Sequence, residues 1–178
     1  MRHMAWAVVT ALAAPCTGSA TEPAYHDPGL NAVVQVAIVC RDIDASAKRW
    51  ASFLDVPVPK ITLTKPGSQR GMLYKGRPSA AQVKLAFFKA GQVQIELLEP
   101  VGGPSAWKDG LDANGEGVHH LGFVVGDLDR SVEALKAMGH EPLHSGRYDG
   151  DDGSYVYMDS RKALGVIVEL LHSDPPRK

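Results

Sequence analysis

The stretch His120–Ser131, HLGFVVGDLDRS, repeats the pattern of an earlier stretch, Gln35–Ser46, QVAIVCRDIDAS. Four of the twelve positions are identical, and the apolar pattern matches at nearly all the others. Each copy is predicted to be a short buried strand, a turn that contains aspartate, and the start of a helix. A repeat of this kind indicates two similar modules that share one core. Asp44 and Asp129 are the predicted N-caps, since a carboxylate there accepts hydrogen bonds from backbone N–H groups that lack partners.

A second pair of matching segments follows the predicted helices. VQIELLEP, from Val93, and VIVELLHS, from Val166, read as apolar strands with one glutamate embedded in each. The segments KLAFFKAG and SYVYMDS, which precede them, alternate between the two faces of a predicted strand. The order strand, helix, strands and acidic strand therefore occurs twice. The glycine-rich stretch 100–117 between the two copies is predicted to be a linker.

Size and composition limit the classes of protein that fit. The chain has 178 residues, 44% of them hydrophobic, which is enough for one domain with a packed core or two fused small modules. Charged residues of both signs are interleaved and the net charge is -1, so nucleic acid and lipid surfaces are disfavoured as partners. No apolar stretch is long enough to cross a bilayer. Cys16 and Cys40 form no disulfide framework, and Cys40 is predicted to be a small buried side chain.

The first residues have the layout of a secretory signal peptide. A short basic start is followed by an apolar stretch and then by small residues, with a predicted cleavage after Ala20. We therefore expect residues 1–20 to be a leader and 21–31 a linker, and the protein to be periplasmic or extracellular; without such a leader it would be cytoplasmic. The predicted domain spans 32–172, with modules 32–100 and 117–172 and a tail at 173–178.

One polar residue interrupts the apolar face of the first and last strand of each module: Gln35, Glu96, His120 and Glu169. A carboxylate in such a strand is costly to bury unless a partner or a cation meets it. Each residue alone has a simpler explanation, such as a strand edge or an ion pair at the rim. Their coincidence at four equivalent positions predicts a divalent metal site built from nitrogen and oxygen donors. Strict alternation would place His119 on the face opposite His120, so His119 is predicted to be structural.

These motifs resemble the vicinal oxygen chelate superfamily, which includes glyoxalases, bleomycin-resistance proteins and dioxygenases. The resemblance covers about residues 32–172 and is carried by VAIVCRDIDAS and GEGVHHLGFVVGDLDRSVEALKAMG. Within the superfamily, the segments IELLEP, NGEGVHHLGF and SRKALGVIVELL are most similar to methylmalonyl-CoA epimerases, and lactoylglutathione lyases are a second similar group. The resemblance implies an α+β fold in which two βαβββ modules form a curved mixed sheet, shaped as a cup around a metal ion.

The resemblance also implies a ligand set and a chemistry. The ligands would be Gln35, Glu96, His120 and Glu169, holding one divalent ion: Zn, Ni, Co, Mn or Fe. The reaction would be that of a lyase or isomerase that stabilises an enolate of a small oxygenated substrate, with Glu96 and Glu169 as the groups that move the proton. Gln35 stands where epimerases usually carry histidine, although some glyoxalase I enzymes have glutamine there. The resemblance also allows a homodimer.

Two other functions stay open. Epimerases are expected to carry a glutamate base just before the strand VKLAFF, but the region from Gly71 to Phe88 has no acid, and Gln82 is the nearest polar residue. This gap favours a non-catalytic protein that binds a small molecule, as resistance members of the superfamily do. An iron-dependent dioxygenase usually needs two histidines and one carboxylate, and only His120 supplies an imidazole here. Weaker candidates for contact with a substrate are Arg147, Tyr148, Tyr155, Tyr157 and Lys162.

Overall fold

The computed structural model describes residues 27–176, so the predicted leader and most of the predicted linker after it lie outside the described residues. Export and cleavage after Ala20 therefore stay predictions. Within residues 27–176, none of the helices has the length and apolarity needed to cross a bilayer. The elements follow one another in this order: β1 Val33–Val39, α1 Ile43–Leu54, β2 Thr62–Leu63, a 3-10 turn Gly67–Gln69, β3 Leu73–Tyr74, β4 Arg77–Pro78, β5 Gln82–Ala90, β6 Val93–Val101, α2 Ala106–Asn114, β7 Gly117–Val124, α3 Leu128–Ala137, β8 Glu141–Arg147, β9 Gly153–Asp159, α4 Arg161–Leu164 and β10 Ile167–Ser173.

The ten strands form one curled mixed sheet in the order β2-β5-β6-β1-β7-β10-β9-β8-β3-β4. The two predicted modules meet at its centre, where β1 and β7 pair antiparallel. In each module the first strand pairs in parallel with the last one, β1 with β6 and β7 with β10. The α+β fold with two βαβββ modules is therefore confirmed, and so are β5 and β9 as the strands that precede the acidic ones.

The helices α1 and α3 cover the outer face of the curled sheet. Residues of α1, including Ile43 and Ala47, pack with Leu97 of β6, and Leu135 of α3 packs with Leu170 of β10. Because side chains alternate along a strand, the neighbours of Leu97 and Leu170 at positions 96 and 169 point to the inner face. The functional candidates of the last strands thus lie on the inside of the curl. Cys40 is buried in the α1 cluster, as predicted.

The predicted N-caps are wrong by two residues. Asp42 and Asp127 cap the helices, accepting hydrogen bonds from Ala45 N at 2.9 Å and Arg130 N at 3.0 Å. Each helix starts earlier than predicted because its first residue is apolar and turns towards the sheet; Ile43 is 0% exposed. The aspartates at 44 and 129 lie in the first turns, where a negative charge still stabilises the helix dipole.

The stretch 100–117, which was predicted to be a linker because it is rich in glycine, contains the helix α2. Ser105 caps it by accepting a hydrogen bond from Lys108 N at 3.1 Å. Trp107 and Leu111, one turn apart, are buried against the inner face of the sheet. The serine cap and the spacing of these two apolar residues were the available signals. The helix closes one end of the inner face and supplies an aromatic wall to the site.

The segment between β2 and β3 crosses from one edge of the sheet to the other. It starts at β2, the edge strand of the first module, and ends at β3, which pairs with β8 of the second module. Backbone hydrogen bonds anchor it on both sides: Thr64 N donates to Val83 O at 3.0 Å, and Arg147 N donates to Arg70 O at 3.0 Å. This crossing segment, residues 64–72, therefore spans the mouth of the curl and is fixed to both modules.

Gly67 of the crossing segment is expected to tolerate no side chain. A β-carbon there would lie 2.5 Å from the Ser79 carbonyl oxygen and 2.6 Å from Met72 Sδ, and the former is rigid backbone. We predict that Gly67→Ala lowers the free energy of unfolding by about 1–3 kcal/mol, the usual cost of overpacking. Urea denaturation measures the effect. Gly126→Ala is the matched control, because nothing lies within 4 Å of a β-carbon at that position; equal midpoints for the two variants would contradict the prediction.

Candidate metal centre

The four predicted ligands lie on four adjacent strands at the centre of the sheet, in the order β6, β1, β7 and β10. Ala37 of β1 is paired with both Glu96 and His120, and Gly122 of β7 is paired with both Gln35 and Glu169. Each pair of candidate ligands thus flanks one small residue. Neighbouring strands are about 4.8 Å apart, so two long side chains can meet above the small residue between them. The pseudo-twofold repeat therefore produces a shallow floor with four polar side chains around it.

Gly122 has to be small for this floor to form. A β-carbon on Gly122 would lie 2.9 Å from Gln35 Cβ and 3.1 Å from Gln35 Oε1. Ala37 is 0% exposed and fills the equivalent position of the first module. The motif HLGF is thus explained by packing: its glycine makes room for the glutamine of the other module.

Three of the predicted ligands meet as one group, which we call the Glu–His–Glu cluster (Glu96, His120 and Glu169). His120 Nε2 lies 3.3 Å from Glu96 Oε2 and 2.9 Å from Glu169 Oε2. One candidate ligand atom from each residue lies within 4.8 Å of the others. All three side chains are buried, with His120 at 0% exposure and the glutamates at 7% and 5%.

The close approach inside the cluster is not that of a satisfied hydrogen-bond network. Among the described residues, neither His120 Nε2 nor Glu169 Oε2 has a hydrogen-bond partner, although the two atoms are neighbours. Buried polar atoms in native proteins nearly always have a partner. The imidazole nitrogen and the two carboxylates converge without a hydrogen bond of good geometry, and this donor set suits a divalent transition metal. The residues present therefore fit such an ion.

Burial and charge set the protonation of the cluster. Burial alone would lower the pKa of His120, but the carboxylates of Glu169 and Glu96 raise it to about 9. Burial raises the pKa of the Glu96 carboxyl above its ordinary value, against the lowering effect of His120. In the metal-free protein a protonated His120 therefore supplies the positive charge between the two glutamates. Because a metal ligand must be neutral imidazole, a bound dication would replace that proton.

His119 does not point away from His120, so the prediction of opposite faces is wrong. The register of β7 against β1 shifts at this point: Ala37 pairs with His120 and the next residue, Ile38, pairs with Val118. His119 is the extra residue of a β-bulge, and a bulge interrupts the alternation of side chains. The two imidazoles are neighbours on the inner side, with Nδ1 of one 2.9 Å from Nδ1 of the other.

This contact fixes the tautomer of His120. His119 Nε2 lies 3.0 Å from the Ala106 carbonyl oxygen, which can only accept, so this nitrogen donates. Burial first, and then the neighbouring His120, lower the pKa of His119 to about 3, so His119 is neutral and its Nδ1 accepts. His120 therefore donates from Nδ1, and its Nε2 is left for the cluster. A histidine that holds a ligating histidine in this way tunes a metal site from outside it.

Gln35 is oriented by a residue that the sequence analysis missed, Gln94. Gln35 Nε2 donates to Gln94 Oε1 at 3.1 Å, which leaves Gln35 Oε1 buried and without a hydrogen-bond partner in the described part of the chain. Gln94 sits opposite Gln35 in the parallel pair of β1 and β6, two residues before Glu96 and on the same face. That position was the signal available in the sequence. The amide oxygen of Gln35 is thus free to bind a ligand or an ion.

A cavity of about 410 Å³ opens above the floor. Gln35, Glu96 and Glu169 line it, whereas His120 lies beneath its wall. Much of the remaining lining is aromatic: Phe87, Trp107, Tyr148, Tyr155 and Tyr157. A pocket of this size and lining is typical of small-molecule sites.

The weaker candidates for contact with a substrate fall into two groups, those that line the cavity and those that do not. Tyr148, Tyr155 and Tyr157 line the cavity, and Tyr157 also accepts a hydrogen bond from Trp107 Nε1 at 2.9 Å. Arg147 instead forms ion pairs with Asp151 and Asp174, and Lys162 is exposed.

Gln82, the polar residue nearest to the place of the missing acid, has a structural role. Its Nε2 donates to the Thr64 carbonyl oxygen at 2.6 Å and so ties β5 to the crossing segment. The carboxylates that line the cavity are Glu96, Glu169 and Asp149.

The fold is a curled sheet of two βαβββ modules that encloses a cavity of small-molecule size and a cluster of residues that fits a metal. A model of the glyoxalase/bleomycin resistance protein/dioxygenase superfamily matches residues 34–158. The chain belongs to this superfamily.

Known relatives are distant. The chain is 32% identical over 90 residues to the uncharacterized protein YqjC of Bacillus subtilis, a match that spans 50% of this chain and 64% of that protein. Methylmalonyl-CoA epimerase from Mycobacterium tuberculosis has a similar structure, with a TM-score of 0.57, 20% identity, and coverage of 83% of this chain and 91% of that one. The epimerase from Streptomyces coelicolor in complex with 2-nitronate-propionyl-CoA also gives 0.57, at 23% identity over 82% of this chain and 99% of that one. At these identities the structural likeness concerns the fold.

His144 is another buried histidine near the cluster, and no sequence pattern indicated its environment. It is 2% exposed and is surrounded by the rings of Tyr74, Trp107, Tyr155 and Tyr157. Among the described residues, neither of its ring nitrogens has a hydrogen-bond partner. Burial lowers the pKa of His144 to about 3. The folded protein therefore keeps this ring neutral in mild acid, where the unfolded chain takes up a proton.

We predict that His144→Phe makes the protein more resistant to acid. The folded pKa lies below the unfolded one, so the stability tied to this histidine is complete above pH 6.5 and is lost as the pH falls towards 3. The free energy of unfolding of the variant minus that of the wild type should be about 2 kcal/mol larger at pH 5 than at pH 7.5. Urea denaturation at both pH values measures this difference. The same relative stability at the two values would show that His144 is protonated in the folded state.

Proposed function

We propose that this protein is a divalent-metal-dependent lyase or isomerase that moves a proton next to a carbonyl group of a small oxygenated substrate. The observation that carries the proposal is the Glu–His–Glu cluster, whose unpaired atoms converge at the floor of a cavity large enough for such a substrate. Gln35 would add a fourth ligand from the opposite side. A divalent ion held there supplies Lewis-acid stabilisation of negative charge on a substrate oxygen.

The proton acceptor would come from the cluster itself. Of the carboxylates that line the cavity, Asp149 accepts a hydrogen bond from Lys65 N at 2.9 Å and forms an ion pair with Arg70, so it is engaged elsewhere. Glu96 and Glu169 are the remaining acids. Glu96 is the more loosely held of the two, since its Oε2 lies 3.3 Å from His120 Nε2, whereas Oε2 of Glu169 lies 2.9 Å from it. Glu96 would therefore act as the base while Glu169 and His120 keep their places.

The epimerase-like specificity is also part of the proposal. Two similar solved structures are methylmalonyl-CoA epimerases, and one of them holds 2-nitronate-propionyl-CoA. Their reaction class suggests a substrate with an acidic C–H bond beside a carbonyl. The missing acid before β5 favours the second candidate, a non-catalytic binding protein, because Gln82 is bonded to Thr64 and leaves the proton transfer to the cluster alone. A dioxygenase is disfavoured, since His119 turns its Nδ1 to His120 and only one imidazole approaches the carboxylates.

The proposal predicts metal-dependent exchange of a substrate proton with solvent. The purified protein, stripped of metal and reloaded with Zn, Ni, Co, Mn or Fe(II), would be incubated in D₂O with methylmalonyl-CoA or with the hemithioacetal of methylglyoxal and glutathione. Proton NMR should show deuterium incorporation or conversion that requires metal. Removal of a catalytic base costs about 10²–10⁴-fold, so Glu96→Gln should lose at least about a hundredfold in rate.

Two variants serve as controls. One tests the loss of a metal ligand, and the other tests the loss of a negative charge away from the site. Glu169→Gln should weaken metal binding at least about tenfold, as expected when one charged ligand is lost. Glu133→Gln removes an equivalent charge from the exposed face of α3 and should change neither property. Metal binding without exchange or conversion of either substrate would contradict the lyase or isomerase and favour the binding protein. Absence of metal binding would contradict the site.

A further inference from the structure

Arg70 occupies an unusual place for an arginine. It lies in the crossing segment over the mouth of the curl, is 6% exposed, and lines the same cavity as Glu96 and Glu169. Its backbone is fixed on both sides, because its N–H donates to Gly67 O at 2.9 Å and its carbonyl accepts from Arg147 N at 3.0 Å. The guanidinium is thus held in position by the fold before any ligand arrives.

Only part of this guanidinium is satisfied. Nε donates to the Lys65 carbonyl oxygen at 3.1 Å and Nη1 to the Arg147 carbonyl oxygen at 3.1 Å. Nη2 is buried and has no hydrogen-bond partner among the described residues. A buried charged donor without an acceptor is costly, and such groups in native proteins usually meet a ligand or water. Nη2 carries two N–H groups, so it presents two donors.

The positive charge of Arg70 is incompletely neutralised. Among the described residues, the carboxylate that pairs with it is that of Asp149, whose Oδ1 lies 3.3 Å from Nε. The Asp149 side chain is 40% exposed, whereas that of Arg70 is 5% exposed, so water screens the acid much more than the base. The other oxygen of Asp149 accepts a hydrogen bond from Lys65 N. An additional negative group beside Nη2 would therefore be favourable.

Tyr155 supplies a second unpaired donor to the same cavity. It is 5% exposed and lines the cavity beside the Arg70 guanidinium, and its hydroxyl makes no hydrogen bond of good geometry in the described part of the chain. Gly146 makes room for this hydroxyl, since a β-carbon there would lie 2.9 Å from Tyr155 Oη. The ring is held by stacking on Tyr148, with the ring centroids 6.3 Å apart. Like Arg70, Tyr155 is held in place with its polar atom unused.

We propose that Arg70 and Tyr155 bind a carboxylate of the substrate, at a subsite separate from the Glu–His–Glu cluster. The two N–H groups of Nη2 can only donate hydrogen bonds, and the tyrosine hydroxyl can donate one. These donors match the acceptor oxygens of a carboxylate. The inference rests on the proposed function in one respect, namely that the cavity takes a small oxygenated substrate. The subsite narrows the class of substrates to acids. Their carboxylate would lie at the end of the molecule away from the oxygens that would face the Glu–His–Glu cluster.

The test uses the full chain stripped of metal, so that carboxylates have no metal ion to bind. Isothermal titration with succinate, a small dicarboxylate, is compared with succinamide, its neutral diamide of similar size. Wild-type protein should bind succinate at least about tenfold more tightly than succinamide. A tenfold difference corresponds to about 1.4 kcal/mol, as expected for one charge-assisted contact. This comparison needs no variant and does not depend on the metal proposal.

Variants assign the effect to the two residues. Arg70→Met should weaken succinate binding at least about tenfold, and Tyr155→Phe about threefold, with succinamide unchanged in both. Arg77→Met is the matched control, because it removes an equal charge from an exposed residue of β4 that does not line the cavity. Tyr155→Phe keeps the packed ring and decides the case if Arg70→Met does not fold.

Three results would overturn the inference: no binding of succinate to the wild type, equal binding of succinate and succinamide, or unchanged succinate affinity in both cavity variants. Failure of the metal proposal would be visible elsewhere, as absence of metal binding by the same preparation, and would leave the outcome of this titration unaffected.

Discussion

Two buried carboxylates on the inner face of the sheet are the constraint on which the rest of the structure depends. Glu96 and Glu169 are 7% and 5% exposed, and an isolated pair of such charges in the interior would be strongly unfavourable. His120 stands between them, and its proton or a dication balances their charge. The bulge in β7 and the contact of His119 with Ala106 follow from this need, because they hold the imidazole with Nε2 towards both acids. The small residues Ala37 and Gly122 leave space between the strands that carry the four polar side chains.

The repeat made the fold and the places of the candidate ligands in it predictable, because the same strand pattern brings equivalent residues to equivalent places on one face. Gln35, Glu96, His120 and Glu169 could thus be selected from sequence, and three of them meet as one group of candidate ligand atoms. His119 could not be placed, since a bulge shifts the alternation without changing the composition of the strand. Arg70 could not be found either, because its importance lies in its unpaired Nη2. The place of Gln94, two residues before Glu96, was a signal in the sequence, but it did not reveal that Gln94 leaves Gln35 Oε1 free.

The departures from the repeat are where the site acquires its asymmetry. The helix α2 and the crossing segment belong to the first half of the chain or to the junction, and neither has a counterpart in the second module. They bring Trp107 and Arg70 to the wall of the cavity. A floor that follows the symmetry of the repeat is thus combined with an asymmetric cavity wall. Loops and junctions of this kind commonly determine specificity on a shared scaffold.

The most direct measurement of the central claim is the position of a metal ion by anomalous X-ray diffraction, recorded at the absorption edge of cobalt or zinc from crystals loaded with that ion. If the Glu–His–Glu cluster binds a metal, we expect one strong anomalous peak, with distances of about 2.0–2.2 Å from the ion to His120 Nε2 and to oxygens of Glu96 and Glu169. The amide oxygen of Gln35 should face the same peak. A crystal that contains no ordered ion at this place, or one whose ion is bound by other residues, would contradict the account.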